Sequence, residues 1–219
     1  MAVTRAVFRE QIKDVLMQRI VDGEYGPGER IVELRIAEEF GVSQAPVREA
    51  LRELEILRLV ESEPFRGARV RAVPADEIAQ SYPVRAVLEE LGGKLAAVRL
   101  AGASAPLAAE IDGMRAAAVD GDLHRFVRHD VAFHRVFVEA SANTTLIQVW
   151  ESLHVDLRTR LTLIQRLEDL AEVAESHVPI MEALDAGDAD RAGAIVREHI
   201  EGFGRSFVER GAAANAEET

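Results

Sequence analysis

Charge and periodicity both change at Val73-Pro74-Ala75-Asp76, so the chain is expected to fold as two bodies. Residues 1–75 hold 12 basic and 13 acidic side chains, a net of -1, whereas residues 76–219 hold 14 basic and 25 acidic, a net of -11. Before the seam come two short helical patterns, a glycine-containing turn and a strand-like segment. After it nearly everything is helical and rich in Ala, Leu, Glu and Arg, broken by short Gly, Ser, Asp or Asn turns. At roughly 100–200 residues per domain, the length suits one large domain or two small ones. The seam decides for two: 1–75, then 76–211, with a flexible tail at 212–219. An apolar fraction of 48% is that of a folded protein. The absence of cysteine excludes a disulfide framework, a thiolate zinc site and a cysteine nucleophile. No apolar stretch approaches the roughly 20 residues of a membrane helix, and Met1–Glu10 is polar rather than an apolar signal. The expectation is a soluble, cytoplasmic protein without membrane partners. Taken whole, a net charge of -12 argues against nucleic acid, whose phosphates require basic groups. The seam removes most of that objection, because the acid lies beyond it.

In the first part, Thr4 is a possible cap for a helix running to about Asp22, ended by Gly23, Gly26, Pro27 and Gly28. A second helix covers about Glu33–Phe40. Gly41 makes a turn, Ser43 is placed to cap, and Pro46 suits the first turn of a third helix reaching about Leu57. This is a helix-turn-helix arrangement. Ile36, Ala37 and Phe40 can face Val42, Val47, Ala50, Leu51 and Leu54. On the other face Gln44, Arg48 and Arg52 fall at i, i+4 and i+8, an amide and two guanidiniums suited to adenine and guanine edges or to phosphate. Residues 59–62 and 68–73 flank Glu63-Pro64-Phe65-Arg66-Gly67 as a hairpin, or wing, with Arg66 and Gly67 at its tip. The plainer reading is a small helical subdomain with solvated arginines. Wing, basic stripe and near-neutral charge together favour DNA.

These residues also carry a resemblance. Gly28–Glu33, Ile36–Ser43 and Pro46-Val47-Arg48-Glu49-Ala50-Leu51 resemble the winged helix-turn-helix of GntR-family bacterial transcription regulators. The resemblance implies that Arg48 contacts double-stranded operator DNA, helped by Arg35, Arg52 and the wing around Gly67. The DNA-reading set is then Arg35, Ser43, Gln44, Arg48, Arg52, Arg66 and Gly67. Gln44 departs from the family's commoner arginine; it can pair with adenine but brings no charge.

In the second part helices are expected over 76–101, 105–120, 122–140, 144–166, 167–186 and 188–210, with Pro83 kinking or dividing the first. Short connections imply an all-α antiparallel bundle with room for a ligand. Asp130 and His134 project from one helix face that also bears Phe133 and Phe137, so that face is the buried one. His177 lies among Val173, Val178, Ile180 and Met181, and His199 beside Ile195 and Ile200. Three imidazoles and a carboxylate suit a divalent transition metal, zinc first, with nickel or manganese also admissible. Each histidine alone reads equally as a hydrogen-bonded core or surface residue, as His124, His129 and His154 are taken to be.

Beyond the seam Val84–Glu89, Asp130–His134, Ser141-Ala142-Asn143, the His177 helix and Arg197–Ile200 resemble the FCD ligand-binding domain of one GntR subfamily. That resemblance implies that Asp130, His134, His177 and His199 bind the metal. A metal with open positions suits capture of a small carboxylate, with an arginine on its remaining oxygens; Arg85 and Asn143 are the candidates. Arg85 can instead pair with Glu89 at i+4, and Asn143 can be a helix-turn residue. The resulting expectation is a homodimeric, ligand-responsive regulator on a palindromic operator, not an enzyme. The rivals are a metal-dependent hydrolase using the same His and Asp residues, and a regulator sensing the ion itself. The hydrolase lacks a His-Glu-x-x-His-type motif and leaves the winged helix unexplained.

Overall fold

The computed structural model describes residues 2–63, 67–166 and 169–217. It divides into two compact units, Met1–Val73 and Pro74–Thr219, at the seam in charge. In the first unit, α1 (Ala2–Asp22) packs on α3 (Gln44–Ile56), which also meets α2 (Glu33–Phe40). Helix α1 is already formed at Ala2, so Thr4 lies within it rather than capping it. Ile12, Leu16 and Ile20 recur at i, i+4 and i+8 and are buried, as are Ile36 and Ala37 of α2 and Val47, Ala50, Leu51 and Leu54 of α3. The turn between α2 and α3 depends on Gly41, whose φ of 63° is left-handed and strained for residues with a Cβ. Its N–H and that of Val42 close on carbonyls of α2.

The wing is three-stranded. β2 (Val60–Glu63) and β3 (Gly67–Val70) pair antiparallel, as the hairpin pattern implies, and β1 (Arg30–Ile31) adds to the other side of β3 with Arg30 opposite Arg69. A two-residue strand has no alternation to read, so β1 is invisible in the sequence pattern. Arg66, expected at the wing tip, falls outside the described residues, whereas Gly67 opens β3 at φ 82°.

The second unit is all-helical: α4 (Ala75–Leu100), α5 (Ala105–Asp120), α6 (Leu123–Ala140), α7 (Thr144–Ser152), α8 (Val155–Arg166), α9 (Leu170–Glu175), α10 (Val178–Asp185) and α11 (Ala189–Glu217). Asp122 and Asp188 cap α6 and α11 by accepting from Arg125 N and Arg191 N. Pro83 does not divide α4. Two expected helices are each broken. The 144–166 segment turns at His154, whose φ is 47°. The 167–186 segment breaks before Pro179, which has no N–H for the next helical hydrogen bond and sits in the first turn of α10. Helix α11 continues through Glu217, across the stretch expected to be a tail; its alanines at 212–214 are strong helix formers. Close approach of α4 to its neighbours uses glycine: Gly92 lies against Val138 and Phe137 of α6, and Gly93 against Val196 and Ala192 of α11.

Candidate metal centre and nucleic-acid interface

The amphipathic face of α6 turns Asp130, Phe133, His134 and Phe137 inward, all buried. The break at Pro179 leaves His177 at the N-cap position of α10, outside regular helix and fully buried. His199 comes from the middle of α11. The three imidazoles crowd together, with ring centroids 5.4 Å (His134–His177), 5.5 Å (His134–His199) and 4.5 Å (His177–His199) apart. One nitrogen from each lies within 4.8 Å of the others. Asp130 joins them, its Oδ1 3.3 Å from His177 Nε2.

What holds the rings also decides which nitrogen is available. His134 Nδ1 meets Glu89 Oε2 at 2.5 Å, His177 Nδ1 meets the Val173 carbonyl at 2.9 Å, and His199 Nδ1 lies 3.4 Å from Ser176 Oγ. With each Nδ1 engaged, the Nε2 atoms carry the lone pairs. His134 Nε2 and Asp130 Oδ2 are buried without a hydrogen-bond partner, and buried His177 Nε2 has only its 3.3 Å contact with Asp130 Oδ1. Leaving such an atom unmet costs about 1–3 kcal/mol, and three imidazole nitrogens within 4.8 Å of one another fit a divalent cation. Burial lowers the pKa of His134 and His199, keeping their rings neutral and able to ligate. Burial would raise Asp130, but His177, then His134 and Arg85, hold it below the usual carboxylate range.

Glu89 is the residue the sequence pattern missed. It is fully buried and accepts from Arg85 Nε (2.5 Å), Trp150 Nε1 (2.8 Å) and His134. Burial alone would raise its carboxyl, yet Arg85 and His134 hold it at about 2. Arg85 is therefore in an ion pair with Glu89, as its spacing allowed, but buried rather than on the surface, and it also donates to Thr159 Oγ1 at 3.2 Å. Arg85, Asp130, His134 and His199 share one small cavity with Tyr82, Thr159 and Thr162, with room of about 10 Å³, on the order of one water. Asn143 is not at this cavity. Its side chain accepts from Leu146 N as the N-cap of α7, the helix-turn role its position also allowed.

In the first unit Arg35, Ser43, Arg48 and Arg52 are exposed and Gln44 half-exposed. Ser43 stands at the N-cap position of α3 without a capping bond from its side chain. Arg48 is engaged: Nε meets Glu33 Oε2 at 2.6 Å, and Nη2 donates to Gln44 Oε1 at 2.8 Å. Arg30 lies beside Gly67, a cation near the wing that the sequence reading did not include.

Residues 8–70 match the family of bacterial regulatory proteins designated gntR, and residues 80–202 match the FCD domain. The chain belongs to the GntR family. This FCD-type GntR regulator is 33% identical over 201 residues to a "Probable D-xylose utilization operon transcriptional repressor" of Paenarthrobacter nicotinovorans, covering 92% of this chain and 89% of that one. A gluconate operon transcriptional repressor of Bacillus licheniformis is 26% identical over 195 residues, covering 86% and 80%. Among solved structures, a GntR transcriptional regulator from Rhodococcus sp. RHA1 superposes with a TM-score of 0.78 at 25% identity, covering 92% of this chain and 97% of that chain. The GntR regulator is thus a transcription regulator rather than an enzyme, which removes the hydrolase reading. No described helix is long and apolar enough to cross a membrane.

Proposed function

We propose that this regulator acts in the cytoplasm as a homodimer on a palindromic operator, and that a small carboxylate taken up at a metal in the helical unit alters its hold on DNA. The observation that carries the sensor half is the convergence of one nitrogen from each of His134, His177 and His199 within 4.8 Å, with His134 Nε2 and the neighbouring Asp130 Oδ2 buried without a hydrogen-bond partner. A divalent transition ion held there, zinc first and nickel or manganese next, supplies a Lewis-acid point where a carboxylate oxygen replaces water. Arg85 contributes a positive charge at the cavity wall, locked in place by Glu89 and Thr159. A relative named for the gluconate operon fits this chemistry, gluconate being a hydroxylated carboxylate. By the same relatives' names, repression is the favoured mode. On the DNA side Arg48 reads bases, with Gln44, Ser43, Arg35 and Arg52 beside it and the wing at Arg66 and Gly67 on the backbone.

Three measurements test this. Elemental analysis of the purified chain should find an ion that His177→Ala loses; full retention removes the site. Operator binding by Arg48→Ala should weaken about 5- to 150-fold, the equivalent of 1–3 kcal/mol; unchanged binding removes the recognition assignment. Titrating operator binding with the metal alone, then with gluconate, separates an organic-acid sensor from a regulator that senses the ion.

A further inference from the structure

The wing carries a cation outside the DNA-reading set. Arg30 of β1 is exposed and stands opposite Arg69 of β3, and like charges so placed repel. Arg69 has Glu61 of β2 on its other side, whereas β1 is the edge strand. Among the described residues no carboxylate pairs with Arg30, although Arg9, Arg19 and Arg48 of the same unit each meet one. The side chain also has a direction. Gly67 lies two residues from Arg69 toward the hairpin end, about 6–7 Å along β3. Arg30 Nε and Nη2 stand 3.8 and 3.9 Å from the point a Cβ on Gly67 would occupy. The guanidinium therefore reaches toward the wing tip, across a position where glycine leaves it room. At its other end β1 passes through Val32 into α2, whose first residue, Glu33, meets Arg48 Nε at 2.6 Å. The three residues from Arg30 to Glu33 span at most about 10–11 Å. Arg30 thus stands between the recognition side chain and the wing.

We propose that Arg30 holds a phosphate of the DNA backbone, on the strand that passes between the groove read by α3 and the wing. This rests on the reading of Arg48 as the base contact and adds a residue that reads no base. A recognition helix lies in the major groove, so a wing beside it is separated from that helix by one sugar–phosphate strand. The space between Arg48 and Gly67 is where that strand runs, and Arg30 occupies it. Its forked N–H donors match two phosphate oxygens at once. A phosphate there also supplies the negative charge that Arg30 and Arg69 lack between them. The other exposed arginines without a described carboxylate are accounted for differently. Arg35 and Arg52 are already in the reading set, and Arg58 follows the C-terminal end of α3, away from Ser43 and Gln44. A phosphate contact carries no sequence information. Arg30 accordingly fixes the seat of the wing on any duplex, while Arg48 chooses among them.

The test is fluorescence anisotropy of the full chain across a salt series, on two probes. One is a duplex of random sequence, the other the duplex that the wild type selects from a random pool. Arg30→Gln should make the log–log salt slope shallower by about 0.9 for each copy bound, so that about 8-fold of affinity is missing at 0.1 M salt relative to 1 M. Both duplexes should lose by the same factor, and Arg30→Lys should restore the slope. Arg128→Gln removes an exposed arginine from α6 and should leave the slope unchanged. The unfolding midpoint of Arg30→Gln should not fall, because the charge removed faces Arg69. Wild-type slope and affinity in Arg30→Gln overturn the contact. A loss confined to the selected duplex makes Arg30 a base reader and overturns the backbone assignment. An equal change in Arg128→Gln, or a lowered midpoint in Arg30→Gln, ascribes the loss to net charge or to the wing's fold and overturns it as well. If Arg48→Ala still prefers the selected duplex while Arg30→Gln shows the shallower slope, the recognition reading fails and the phosphate contact stands.

Discussion

Glu89 carries three side-chain hydrogen bonds in the interior of the helical unit, to Arg85, His134 and Trp150. Removing its charge has two separable effects. In Glu89→Gln, Arg85 becomes a buried cation without its counter-ion, and urea unfolding of the metal-stripped chain should show a loss of roughly 3–5 kcal/mol. His134 also loses the group that orients its ring, and competition with a chromophoric chelator should show metal affinity down about 10–100-fold. Asp130 and His134 are legible in the sequence because a four-residue spacing beside Phe133 and Phe137 names a face. Glu89 is not. Its four-residue spacing from Arg85 describes a surface pair and a buried one equally well, and only Trp150 and His134, distant in sequence, distinguish them. Asn143 is a polar residue in a family-like segment whose side-chain oxygen closes the first turn of its own helix.

Among the elements, the α4–α11 pair depends on absent side chains. A Cβ at Gly204 would stand 2.7 Å from Tyr82 Cβ, an atom fixed to the α4 backbone. Gly204→Ala should therefore destabilise by about 1–3 kcal/mol through overpacking. A Cβ at Gly202 would come no nearer than 3.9 Å to Arg205, so Gly202→Ala should gain about 0.5–1 kcal/mol from helix propensity. Thermal unfolding of the two variants checks the contrast. The helices themselves were mostly readable from Gly, Asp and apolar spacing. The breaks were less so. Pro179 signalled one that the longer pattern masked, and the left-handed turn at His154 carries neither Gly nor Pro to announce it. The same kind of silence hides β1, which exists only because β3 offers it an edge.

For the whole molecule, two units with separate cores imply two unfolding events. An ion at the histidine cluster binds only one of them. At 100 times its Kd it adds about 2.7 kcal/mol to that unit. Calorimetry with and without chelator should move the transition of the helical unit and leave that of the winged unit in place; movement of both, or of neither, contradicts this assignment. At the DNA end, Arg48 faces solvent with Glu33 already on its guanidinium. A random stretch of duplex must displace that carboxylate to obtain the cation, and it offers only phosphate in return, whereas an operator adds a base edge. If Arg48 reads the operator as proposed, residence on other DNA should thereby be shortened and the search for the operator quickened. Glu33→Gln should lengthen dwell times on non-operator duplex by more than on operator, as single-molecule tracking on stretched DNA would record.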